Sequence, residues 1–86
     1  MNIISCKLSP TKISSITVID ESGTGVTVTE NVNMTDFEDK LFKLAKEHDV
    51  QRIYFAGPKG YTTGLKNIID NNVQTKFNNA IEIICI

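Results

Sequence analysis

Arg52-Ile53-Tyr54-Phe55-Ala56-Gly57 runs directly into Pro58-Lys59-Gly60-Tyr61-Thr62-Thr63-Gly64. The first six residues are nearly all apolar, the pattern of a strand buried on both faces. Gly57 to Gly64 then holds three of the chain's five glycines and one of its two prolines. Such a cluster stops a strand and turns the chain. A second helix is predicted to begin around Thr63 to Leu65. It places Leu65, Ile68, Ile69 and Val73 on one side, with Phe77 joining if the helix survives Asn71-Asn72. Asn78-Asn79 breaks it. Ile81-Glu82-Ile83-Ile84-Cys85-Ile86 then reads as a last strand, with Ile83, Ile84 and Ile86 in the core.

Toward the amino terminus the pattern changes twice. Thr35-Asp36-Phe37-Glu38 fits a capping box, in which a hydroxyl caps the helix and Glu38 reaches back to the cap amide. Phe37, Leu41, Leu44, Ala45 and His48 follow at helical spacing, so a first helix should end near His48-Asp49. Before it lie three β-type runs, over 2–9, 13–20 and 26–32. In the first, Ile4, Cys6 and Leu8 share a face; in the third, Val26, Val28 and Val32 oppose Thr27, Thr29 and Asn31. Ser9-Pro10-Thr11-Lys12 and Asp20-Glu21-Ser22-Gly23-Thr24-Gly25 read as turns. The predicted order is βββαβαβ: an antiparallel meander, then a β-α-β-α-β tail whose right-handed crossovers require parallel pairing. The expected fold is one α/β domain over 1–86, a mixed five-stranded sheet with two helices on one or both faces.

With 86 residues, the chain has a thin stability margin, and pairing with a copy of itself would help. A formal net charge of −1, with Lys and Arg scattered, argues against long nucleic acid as the partner. No apolar stretch approaches the ~20 residues needed to span a bilayer. The first residues lack the layout of a signal peptide, so a cytoplasmic location is expected. Cys6 and Cys85, one near each end, read as reduced core thiols. With the single His48 they give no zinc spacing, and neither a metal nor a cofactor is expected. His48, on an apolar helix face, reads as structural. No nucleophile motif stands out.

The element order resembles the core of the ribonuclease-H-like fold. That resemblance implies a fold; nuclease members of the superfamily also hold two divalent metals on acidic residues. The first strand, Ile3-Ile4-Ser5-Cys6-Lys7-Leu8, carries no acid, and the fourth ends Phe55-Ala56-Gly57 without one. Glu38 alone sits on the expected helix, so nuclease chemistry is not expected. Ile53-Tyr54-Phe55-Ala56-Gly57-Pro58-Lys59-Gly60 also looks like the strand and loop of small iron–molybdenum-cofactor-binding domains, and no functional residue is carried over from it. In size and in its Asn/Ile/Lys-rich style the chain is similar to small phage-encoded proteins, some of which sequester nucleotide signals.

Function is expected in the segment from Gly57 to Gly64. Ligands in open α/β sheets sit beyond the carboxyl ends of strands, and a helix start offers free amides to an anion. Gly57, Gly60 and Gly64 would allow close backbone approach, Lys59 adds a charge, Thr62 and Thr63 add hydroxyls, and Tyr61 could stack on a base. The spacing is neither a P-loop nor a dinucleotide fingerprint. The first reading is a non-enzymatic binding module for a phosphorylated, nucleotide-like molecule, acting as a homo-oligomer. The plain alternative for the segment is a strand–helix connection. A second reading is an assembly module that pairs through sheet edges at 26–32 or 81–86. A third is an enzyme with a composite interfacial site.

Overall fold

A computed structural model describes residues 2–10, 13–20, 25–77 and 81–86, with side chains except those at 25–28 and 73–77. The elements are β1 (Asn2–Lys7), β2 (Ser14–Asp20), β3 (Gly25–Val32), α1 (Met34–Glu47), β4 (Val50–Ala56), α2 (Lys59–Phe77) and β5 (Glu82–Cys85). This is the βββαβαβ order, in one mixed sheet with strand order β3-β2-β1-β4-β5. The meander pairs antiparallel, with Ser5 opposite Thr17 and Thr17 opposite Thr29. The tail pairs parallel, with Cys6 opposite Phe55 and Phe55 opposite Cys85. No helix among the described residues is long and apolar enough to cross a membrane.

Both helices lie on one face of the sheet. Register puts Ile4, Cys6, Ile53, Phe55 and Ile83 on that face, and all are buried. Phe37 of α1 meets Phe55 edge-on, with ring centroids 6.0 Å apart. The thiol of Cys85, also on this face, donates to the Thr62 carbonyl of α2 at 3.6 Å. The helices are tied to each other where Asn72 Nδ2 donates to both Glu38 oxygens at 3.0 Å. Two successive right-handed crossovers that advance in the same direction across a sheet must land on the same side.

That arrangement corrects three expectations. β4 is buried on one face only, with Ile53 and Phe55 inside, Arg52 exposed and Tyr54 half-buried. Of the isoleucines over 81–86, Ile81 and Ile83 are buried in the core, while Ile84 is half-buried and Ile86 is 79% exposed. In α2, Ile69 is buried and Leu65 packs at the margin, but Ile68 is 61% exposed. The side chains of Val73 and Phe77, and the break at Asn78-Asn79, lie outside what is described, as do the turn residues 11–12 and 21–24 and the side chains of Val26, Thr27 and Val28.

The capping box at Thr35 does not form. The helix starts earlier, at Met34, behind the extended Asn33, whose side chain makes no cap bond. The early start leaves Thr35 inside the first turn and Glu38 just beyond it, and Glu38 turns to Asn72 instead. His48 is the carboxyl cap: its amide bonds the Leu44 carbonyl, and its own carbonyl accepts from Asn2 Nδ2 at 2.6 Å. Asp49 then takes a positive φ of 52°, the left-handed residue that commonly ends a helix. Both cysteines are free thiols, Cys6 buried and Cys85 partly so.

Candidate functional site

Because β1, β4 and β5 run parallel, their carboxyl ends share one edge of the sheet. Both helices begin at that edge, since α1 follows β3 and α2 follows β4. The chain leaves β1 toward β2 and leaves β4 toward β5, in opposite directions along the sheet. Open α/β sheets keep their ligand crevice where outgoing connections diverge in this way. Here backbone pairing continues past β1 into that crevice. The Leu8 amide donates to the Ala56 carbonyl at 2.8 Å, extending the pairing one residue past β1. A Cβ on Gly57 would lie 2.7 Å from the Leu8 carbonyl oxygen. Gly57 must therefore be glycine because the Leu8 carbonyl stands on its Cβ side and because of its φ of 156°, while the residue itself stays exposed.

The connection from β4 to α2 is only Gly57-Pro58, since α2 starts at Lys59 rather than near Thr63 to Leu65. Proline explains the early start: its ring presets a helical φ, and its missing amide is not needed at a helix end. The Pro58 carbonyl accepts the first helical bond, from the Thr62 amide at 2.9 Å. Helix geometry then leaves the amides of Lys59, Gly60 and Tyr61 without an intrahelical carbonyl. Pro58 has no side-chain oxygen to cap them, and the first turn holds no acidic residue. At α1, by contrast, Asp36 sits in the first turn and offsets the positive end of the dipole.

The structure divides the seven expected site residues. Lys59 and Gly60 are exposed on the first turn, and Tyr61 is half-buried beside them, its side chain against the core. Thr62 is withdrawn from the site. It is 2% exposed, and its hydroxyl donates back to the Lys59 carbonyl at 3.0 Å. Its methyl would sit 3.4 Å from a Cβ on Gly57, so it belongs to the same packed corner. Thr63 and Gly64 are exposed, but they lie inside the helix, where each amide is committed to a carbonyl one turn back. Gly57, Lys59 and Gly60 are exposed together where the helix begins, with Tyr61 half-buried beside them.

Lys7 was not among the expected residues. It ends β1 in register with Ala56 and is exposed, so it brings a second cation to this edge, on the sheet face opposite the helices. Its signal in the sequence was position alone: the last residue of a strand whose apolar partners alternate with it. Across the edge, Ser14 Oγ accepts from the Ser9 amide at 3.0 Å and lies 3.1 Å from Met34 Sδ, which ties the β1–β2 connection to the start of α1. Among the described residues, no three His, Cys, Asp or Glu side chains gather where a metal ion could be held.

No protein-family model, curated protein or solved structure gives a significant match to this chain. The arrangement itself has to carry the functional reading. An uncapped helix start with a flexible cation on its first turn can accept the oxygens of a phosphate or carboxylate.

Proposed function

We propose that this protein is a non-enzymatic binding module that holds a phosphate-bearing small molecule, nucleotide-like in character, at the start of α2. The observation that carries the reading is the exposed first turn of that helix. Three amides there have no intrahelical partner, no acid opposes the dipole, and Lys59 stands beside them. Tyr61 borders the same turn and offers one edge of a ring to a base. Lys7 adds to the positive field of the sheet edge at longer range. These groups hold an anion in place. They do not supply a paired acid and base, so the bound molecule is expected to leave unchanged.

Titration calorimetry against mono-, di- and cyclic nucleotides, with the matching nucleosides as controls, tests the proposal. Phosphorylated ligands bind and nucleosides do not. Lys59→Ala weakens binding about tenfold, the loss of one charge-assisted contact of about 1.5 kcal/mol. The ligand is recovered intact. Silence across the panel, or equal affinity in Lys59→Ala, removes the proposal.

A further inference from the structure

We propose that two copies of this chain pack face to face through the open side of β4 and β5, related by a twofold axis that runs along the strands between those two. The helices cover one side of the sheet, and alternation sends every second strand residue to the other. That open face is divided. Over β2 and β3 it carries Ser15, Thr17, Thr29 and Asn31, which suit water. Over β4 and β5 it carries Tyr54, Ala56, Ile84 and Ile86, with Ile86 79% exposed. These two strands pair without a break, Arg52 beside Glu82 and Tyr54 beside Ile84, whereas the β2–β3 register shifts between Val18 and Ile19. The apolar half of the face is thus a regular surface, and a second apolar surface laid on it would take it out of water.

Charge selects a second copy as the occupant, and it selects the placement. Among the described residues the open face carries three charges, Lys7, Arg52 and Glu82. Sheets packed in the aligned manner keep their strands within about 30° of each other, so the twofold axis runs with the strands. An axis over β4 sets Arg52 against its own copy. One over β5 does the same to Glu82, and one over β1 to Lys7. An axis between β1 and β4 sets Arg52 against Ile3 and Lys7 against Ala56, a charge on an apolar group each time. An axis between β4 and β5 sets Arg52 against Glu82 of the second copy, and Glu82 against its Arg52. Tyr54 then meets Ile84, and Ala56 meets Ile86. The pair that stands 3.7 Å apart within one chain becomes a ring of four alternating charges. Lys7 and the polar rows of β2 and β3 fall beyond the β5 edge of the second copy and stay in water. A partner surface without charge, or with one sign only, leaves Arg52 or Glu82 without its opposite; a second copy supplies both. Two strands of each copy overlap, short of the ~800 Å² per partner of a standard interface, so association is weak and rises with concentration.

Sedimentation velocity on the full chain, across a concentration series, tests this. The mass rises from 9.6 kDa toward twice that value. Arg52→Glu alone and Glu82→Arg alone each stay at single mass, since each brings four like charges together. An equal mixture of the two variants regains the double mass, because every charge in one then meets its opposite in the other. A parent protein that stays at single mass at every concentration overturns the proposal. So does a double mass that persists in either variant, or a mixture that stays single although both variants keep the parent's circular dichroism spectrum. If a variant fails to fold, hydroxyl-radical labelling of the unmodified chain decides. Labelling at Tyr54, Ile84 and Ile86 must fall as concentration rises, while that at the exposed Ile68 of α2 holds. Labelling that changes equally at both places, or at neither, overturns it.

Discussion

At Gly57 two demands converge on one residue. The backbone turns through φ 156°, and the Leu8 carbonyl stands where a Cβ would go, 2.7 Å away. Adding a methyl group must push β1 away from the start of α2 or twist the corner out of its conformation. Gly57→Ala is expected to cost about 1–3 kcal/mol, the range for local backbone strain and for overpacking. In a domain of this length each kcal/mol lowers the melting temperature by roughly 4–8 °C. Thermal unfolding followed by circular dichroism measures it, and a variant that melts with the parent would show that the corner is looser than described. The sequence marked this glycine as special but attached it to ligand approach. The clash comes from Leu8, 49 positions earlier in the chain (57 − 8), and local pattern carries no information about that neighbour.

α2 shows the same limit at the scale of an element. Its apolar periodicity located the helix, and the helix does run through Asn71-Asn72 to Phe77. Its start was read four residues late, from Thr63 instead of Lys59, because Gly60 and Gly64 look like loop residues. They are helical nonetheless, held by Pro58 before them and by Thr62 packed beneath. A Cβ at either glycine would meet nothing within 4 Å. Gly64→Ala is therefore expected to stabilise the protein by about 0.5–1 kcal/mol, through helix propensity and a less flexible unfolded chain. The melting temperature should rise, and a fall would mean that the exposed face of α2 is covered by something in solution. Gly60→Ala separates two roles at the first turn: it should also raise stability, yet lower the affinity for a phosphorylated ligand if that ligand sits close to the backbone. The strands were legible because alternation is local. Ile4 and Cys6, like Ile16 and Val18, occupy the buried positions that period two assigns. The cap of α1 was not, because a capping box depends on Thr35 standing as the cap, and the structure has Asn33 in that place.

The whole molecule is a sheet covered on one side, and that asymmetry explains what the apolar runs concealed. β4 and β5 read as doubly buried because Tyr54, Ala56, Ile84 and Ile86 continue their apolar pattern, but these residues lie on the uncovered face. A run of apolar residues reports that both sides are hydrophobic, not that both are covered. The covered side centres on β1, where Cys6 is fully buried between β2 and β4. Burial pushes the Cys6 thiol well above its ordinary value, because the thiolate would lose its hydration. In the unfolded chain the same thiol ionises at its ordinary pKa, about 8.5. Above that pH the unfolded state releases a proton that the native state keeps, so folding stability falls as pH rises. The contribution is full below the ordinary thiol pKa and declines by about 1.4 kcal/mol per pH unit above it, until the raised native value is reached. Urea unfolding at stepped pH from 8 upward should show that decline in the parent protein. Cys6→Ala begins less stable, since it leaves a small cavity, but it should lose this part of the slope. Equal slopes in the two proteins would mean that the Cys6 thiol reaches water in the folded state, and the core would then be open along its central strand.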